Sequence, residues 1–178
     1  MSRTVKTNIL LFIFTGLLTV GIFNCGEDTI LNTNNNTPDT SCADSIITAF
    51  QIKGKVNFVD TNFVRSGGVY LISAYPRGGW PPMGGPAVYD TIRVSGTNTS
   101  YCYVLKGFTS SVDTDYVVTV GFRKSTAGQS PVMSVYGCDT NHALSCWFSN
   151  PATVRVGPSI GVKNVTMLSW ADTSKKVY

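Results

Sequence analysis

Apolar and polar residues alternate along most of the chain from residue 50 onward, which predicts β-strands. In residues 52–58, apolar or small side chains fall on one face and polar ones on the other. Similar patterns make further strand candidates of 69–75, 88–94, 101–106, 116–123, 132–136, 153–156 and 162–170. Turn signals rich in Gly, Pro and Ser separate these segments, for example 66–68 and 157–158.

Short strands joined by turns favour an all-β fold. The pattern predicts a single antiparallel Greek-key β-sandwich of about seven to nine strands. We expect it to occupy residues 42–178, a stretch of 137 residues (178 − 41), which is long enough to bury one core.

The first 24 residues have a different pattern. An uncharged, mostly apolar run, 9–23, follows Arg3 and Lys6 and is itself followed by Asn24 and Cys25. With Ile22 three residues before the cysteine, this resembles a bacterial lipoprotein signal peptide with a loose lipobox. The resemblance implies a helical signal over 1–24, removed on export, and a lipid on Cys25.

The alternative is an uncleaved signal anchor. The run is shorter than the roughly 20 apolar residues of a spanning helix, and Thr and Gly interrupt it, so we expect cleavage. Residues 25–41 then form a lipidated, disordered tether, because the Asn/Thr-rich sequence of 26–41 has little to bury. The predicted location is the bacterial cell envelope, on the outer membrane or cell surface.

The charge of the chain argues against one class of partner, nucleic acid. Removing Arg3 and Lys6 leaves 12 basic against 10 acidic residues, so the formal net charge falls from +4 to +2. No basic cluster stands out along the sequence beyond Lys175 and Lys176, and nucleic acid is therefore not an expected partner.

The order of four segments, 51–58, 67–71, 103–108 and 115–120, resembles the carboxypeptidase regulatory-like, or transthyretin-like (prealbumin-like), β-sandwich family. The resemblance extends over about residues 50 to 170. It implies a non-catalytic spacer, adhesion or carbohydrate-binding-like module with no common site.

With Cys25 assigned to lipid, four cysteines remain, and three pairings are possible. Cys138 and Cys146 are separated by only seven residues and most simply pair with each other. That pairing leaves Cys42 to join Cys102 and so fix the start of the domain. Disulfides of this kind are typical of compartments outside the cytoplasm.

The short loop between Cys138 and Cys146 also contains the only histidine, His142. Together with Asp139, these side chains could supply zinc ligands, or His142 could serve a secreted hydrolase. An oxidising compartment would couple the two thiols instead, and no oriented serine is recognisable. We therefore expect no metal, no cofactor and no enzyme activity.

Residues 76–86, PRGGWPPMGGP, form the most suggestive loop because Pro and Gly exclude regular pairing. Trp80, with Arg77, Met83 and Tyr75, is a candidate site for a sugar ring or a protein partner. Alternatively, Trp80 folds back as a plug over the open end of the core, which we expect because large aromatics are usually mostly buried.

Together these patterns predict a lipid-anchored, non-catalytic surface module that binds an extracellular glycan or an envelope protein, or acts structurally. The alternatives are the hydrolase or metal-binding protein centred on His142 and a subunit that assembles by strand addition at a sheet edge.

Overall fold

Eight β-strands form two sheets in the computed structural model, which describes residues 42, 46–126, 130–138, 140, 146–147 and 151–176. All of them belong to one compact unit, Asn34–Tyr178. The strands are β1 Gln51–Phe58, β2 Gly68–Pro76, β3 Val88–Ile92, β4 Ser100–Lys106, β5 Thr114–Lys124, β6 Val132–Val135, β7 Val154–Val156 and β8 Val162–Ser169. The predicted signal helix and tether lie outside the described residues.

The strands divide into a three-stranded and a five-stranded sheet. The first has the order β4-β1-β8, and the second has the order β3-β2-β5-β6, with β7 also paired to β5. The chain crosses between the sheets after β1, β3, β4 and β7. The predicted all-β sandwich is confirmed, and each predicted strand overlaps an observed one.

One pair departs from the antiparallel prediction. β1 and β8 run parallel, and the pairing skips from Ile52↔Val162 to Gly54↔Val165, so β8 contains a bulge. Asn164 adopts a positive φ of 64° within it. A short polar side chain tolerates this backbone region better than most.

The core lies between the two sheets and follows directly from the period of two. Alternate residues of β1 are buried, including Ile52 and Val56, and β5 contributes Val118 and Val120 to the same cluster. This burial supplies the main favourable term in folding.

One end of the sandwich is closed by aromatic and polar contacts. The Tyr70 hydroxyl accepts a hydrogen bond from the Val64 amide at 2.9 Å and donates one to the Ala171 carbonyl. The Asp60 carboxylate accepts from the amides of Ala171 and Asp172, each at 3.2 Å. These bonds fix the chain after β8 to the β1–β2 connection.

Candidate functional site

The loop between β2 and β3 brings Trp80 back against the five-stranded sheet. Arg77–Gly79 forms a single 3-10 turn, and the Trp80 amide donates to the Arg77 carbonyl at 3.2 Å. The following Trp80-Pro81 peptide is cis. The Ala87 amide then donates to the Ala74 carbonyl at 2.9 Å and returns the chain to β3.

Trp80 contacts two other aromatic side chains. Its ring centroid lies 4.4 Å from that of Trp147 and 5.8 Å from that of Tyr75. Its indole Nε1 donates a hydrogen bond of 2.8 Å to the Trp147 carbonyl. Trp80 is therefore half-buried, with its one polar group already satisfied.

Beneath Trp80 lies a second hydrophobic cluster, here called the outer cluster, which consists of Val117, Val135, Cys138 and Trp147. On β5, Val117 points away from the main core because its neighbours Tyr116 and Val118 belong to that core. Trp80 thus covers the outer face of the five-stranded sheet. The predicted folding back is confirmed, but the predicted position over the open end of the core is wrong.

The other candidate ligand residues are only partly brought together. Tyr75 is half-buried beside Trp80, and burial raises the pKa of its hydroxyl. Arg77 is half-exposed at the start of the loop, whereas Met83 is fully exposed, with a relative accessibility of 101%. A ligand site formed by these four side chains stays a prediction.

Both predicted disulfides are present. Cys42 pairs with Cys102 and Cys138 with Cys146, with Cα–Cα distances of 5.5 Å and 5.7 Å. They indicate a protein from outside the cytoplasm. The second disulfide occupies the two sulfurs that the alternative zinc site needs as thiolates.

Cys25, Asp139 and His142 lie outside the described residues, so lipidation and the His142 hypotheses stay predictions. Among the residues that the structure does describe, no group of three His, Cys, Asp or Glu side chains could hold a metal ion. Within the same residues, no helix is long and apolar enough to cross a membrane.

The outward face of the three-stranded sheet was missed by the sequence analysis. It carries four lysines, here called the lysine face: Lys53, Lys55, Lys106 and Lys163. A groove of about 310 Å³ runs across it, lined by Cys42, Gly54, Lys55, Asn57, Asn164 and Thr166. The alternation of Lys53 and Lys55 along β1 indicates that these two side chains share one face. Lys106 and Lys163 lie on that face only because β4 and β8 pair with β1.

The sheet edges bear on assembly by strand addition. Asp90 on the edge strand β3 pairs with Ile72, so its side chain lies on the face of the sheet that faces the core. This places a charge at the edge of the sandwich. On the opposite sheet, the bulge at Asn164 interrupts the edge strand β8. Both features are typical of edges that resist further pairing, and strand addition stays a prediction.

No known protein family, curated protein or solved structure shows significant similarity to this chain.

Proposed function

We propose that the protein is a lipid-anchored, non-catalytic module of a bacterial cell envelope. The observation that carries the proposal is the pairing of four cysteines in two disulfides. Of the five cysteines in the sequence, this pairing leaves only Cys25, which directly follows the apolar segment and Asn24. A leftover cysteine in an exported protein calls for an explanation. We propose thioether linkage to lipid, because Cys25 lies where a lipoprotein signal peptide would place it.

The β-sandwich is compatible with a carboxypeptidase regulatory-like, or transthyretin-like, domain, and we propose that relationship from the strand pattern alone. The Cys42–Cys102 disulfide supports a structural role because it fixes the domain at the point where the tether ends. A domain cross-linked at this point resists force that arrives along the chain before Cys42.

The contacts of Trp80 distinguish two versions of this function, a spacer or protein-binding module and a sugar-binding module. Its ring packs on Trp147, and its indole N–H donates within the protein, which favours a lid over the outer cluster. A glycan-binding tryptophan instead presents an open ring face for stacking. We therefore propose a spacer or protein-binding module in preference to one that binds sugar through Trp80.

Metabolic labelling with an alkynyl fatty acid in a Gram-negative host tests the anchor. The proposal predicts label on the wild-type protein, recovery in the membrane fraction and partitioning into detergent. The Cys25→Ala variant should lose the label, while Cys42→Ala with Cys102→Ala should retain it. Label that survives Cys25→Ala, or its absence from the wild-type protein, would contradict the proposal.

A further inference from the structure

The lysine face is a cationic surface assembled from three strands. Lys53 and Lys55 lie on β1, Lys106 lies on β4 opposite Gln51, and Lys163 lies at the β8 bulge. The other described outward positions of this sheet carry no Asp or Glu: Gln51, Asn57, Ser100, Cys102, Val104, Asn164, Thr166 and Leu168. The positive charge is therefore not offset by acidic neighbours on the same described surface.

Apolar side chains are exposed among these lysines. Val104 is 38% exposed and Leu168 is 47% exposed, and both point outward from the same sheet as the lysines. A surface that combines ammonium groups with aliphatic side chains suits the boundary between lipid headgroups and acyl chains. Neither side chain offers a hydrogen bond or a stacking plane to a sugar, so this combination favours lipid over an anionic glycan.

The chain enters the domain on this same face. Cys102 is an outward position of β4, and its disulfide holds Cys42 beside the lysine face. Cys42 also lines the groove next to Lys55 and Asn57. The 16 residues from 26 to 41 connect Cys42 to Cys25, and a flexible chain of that length spans about 20 to 25 Å.

We propose that the lysine face docks on an anionic phospholipid surface and orients the domain on its membrane. The inference rests on the proposed lipid at Cys25, because that anchor places the membrane on the side where the chain enters. Tethering keeps the face at a high effective concentration beside the headgroups, so weak electrostatic attraction suffices for docking.

Acetylation footprinting of the lipidated protein in vesicles tests the orientation. Vesicles of phosphatidylcholine with a minor fraction of phosphatidylglycerol are compared with phosphatidylcholine alone. We expect Lys55, Lys106 and Lys163 to react about fivefold or more slowly in the anionic vesicles. Lys124 and Lys176, on the other sheet and near the C-terminus, should react equally in both, and raised salt should abolish the protection.

A charge-matched pair of variants provides a second measurement. One variant carries Lys55→Gln, Lys106→Gln and Lys163→Gln, and the other carries Lys124→Gln, Lys175→Gln and Lys176→Gln. Both are made in the mature chain with Cys25→Ala, so that binding depends on the protein surface alone. We expect the first to lose about tenfold or more of its partitioning onto anionic vesicles and the second to lose less than about twofold.

Equal loss in the two variants, or equal reactivity of all lysines in the two vesicle types, would overturn the proposal. Protection by a soluble anionic polysaccharide but not by vesicles would overturn it in favour of a glycan surface. Absence of the lipid would be recognised separately from absence of docking, because the mass of the protein reports lipid on Cys25 independently of lysine reactivity.

Discussion

The hydroxyl of Tyr103 donates a hydrogen bond of 2.8 Å to the carbonyl oxygen of Val165, across the middle strand of the three-stranded sheet. The bond passes over Gly54, which pairs with Tyr103 on one side and with Val165 on the other. A Cβ at position 54 would lie 1.9 Å from the Val165 oxygen and 2.9 Å from the Tyr103 hydroxyl. The glycine thus permits the parallel pairing of β8 at its bulge.

Replacing Gly54 should destabilise the protein. Gly54→Ala forces apart backbone atoms that cannot move without breaking the ladder, and we expect a loss of about 3 kcal/mol or more in the free energy of unfolding. Gly84→Ala is the matched control, because a Cβ there meets nothing within 4 Å. Urea denaturation measures both. Similar midpoints for the two variants would show that the bulge adjusts freely.

Tyr103→Phe removes the hydrogen bond and keeps the ring, so we expect a loss of about 1 to 2 kcal/mol near neutral pH. The difference should shrink in alkali. Burial, with a smaller contribution from Tyr136, raises the pKa of the Tyr103 hydroxyl far above its ordinary value. In the unfolded chain the hydroxyl ionises near pH 10, so stability from this group is complete below about pH 10 and is lost as pH rises.

Urea denaturation of both proteins from about pH 8 to about pH 11 tests this dependence. The wild-type protein should lose stability more steeply than Tyr103→Phe over that range. Parallel curves would mean that Tyr103 ionises equally easily in the folded protein.

The two disulfides should differ in their contribution to stability. They close loops with sequence separations of 60 and 8 residues. Chain entropy then predicts losses of about 4 kcal/mol for Cys42→Ala with Cys102→Ala and about 2.5 kcal/mol for Cys138→Ala with Cys146→Ala. The free energies of unfolding of the two double variants show which disulfide contributes more stability. A larger loss for Cys138→Ala with Cys146→Ala would rule out loop-closure entropy as the main source of the stabilisation.

Trp80→Ala should destabilise the domain by about 2 to 3 kcal/mol, because it uncovers the outer cluster and removes the hydrogen bond to Trp147. Trp80→Phe retains much of the contact and should cost about 1 kcal/mol. Met83→Ala, in the same loop but fully exposed, should change stability by less than about 0.5 kcal/mol. An unchanged unfolding midpoint for Trp80→Ala would instead support an exposed ligand-binding ring.

β1 was predictable because it buries one face, which leaves a period of two in the sequence. The middles of β2 and β5 are buried on both faces, and their apolar runs between turn signals indicated strands instead. The disulfide pairing was also predictable, since Cys138 and Cys146 are close in sequence and, with Cys25 assigned to lipid, only Cys102 is left for Cys42. The closure of the short loop between Cys138 and Cys146 is local and can be inferred from spacing.

The missed features depend on contacts between distant segments. In the sequence, Gly54 is an ordinary glycine within a strand pattern, and its close contact with β8 arises only in the folded sheet. The residues around Asn164 carry no sequence signal for a bulge. Trp147 becomes a partner of Trp80 only through the fold. The lysine face is hidden for the same reason, because Lys106 and Lys163 are far from Lys53 in sequence and share its face only through strand pairing.

The most direct test of lipid anchoring is the intact mass of the protein extracted from membranes and alkylated, before and after reduction. Lipid anchoring predicts residues 25–178 plus diacylglyceryl and acyl groups, with no alkylated cysteine before reduction and four afterwards. A full-length mass without lipid, or alkylation of Cys25, would contradict it.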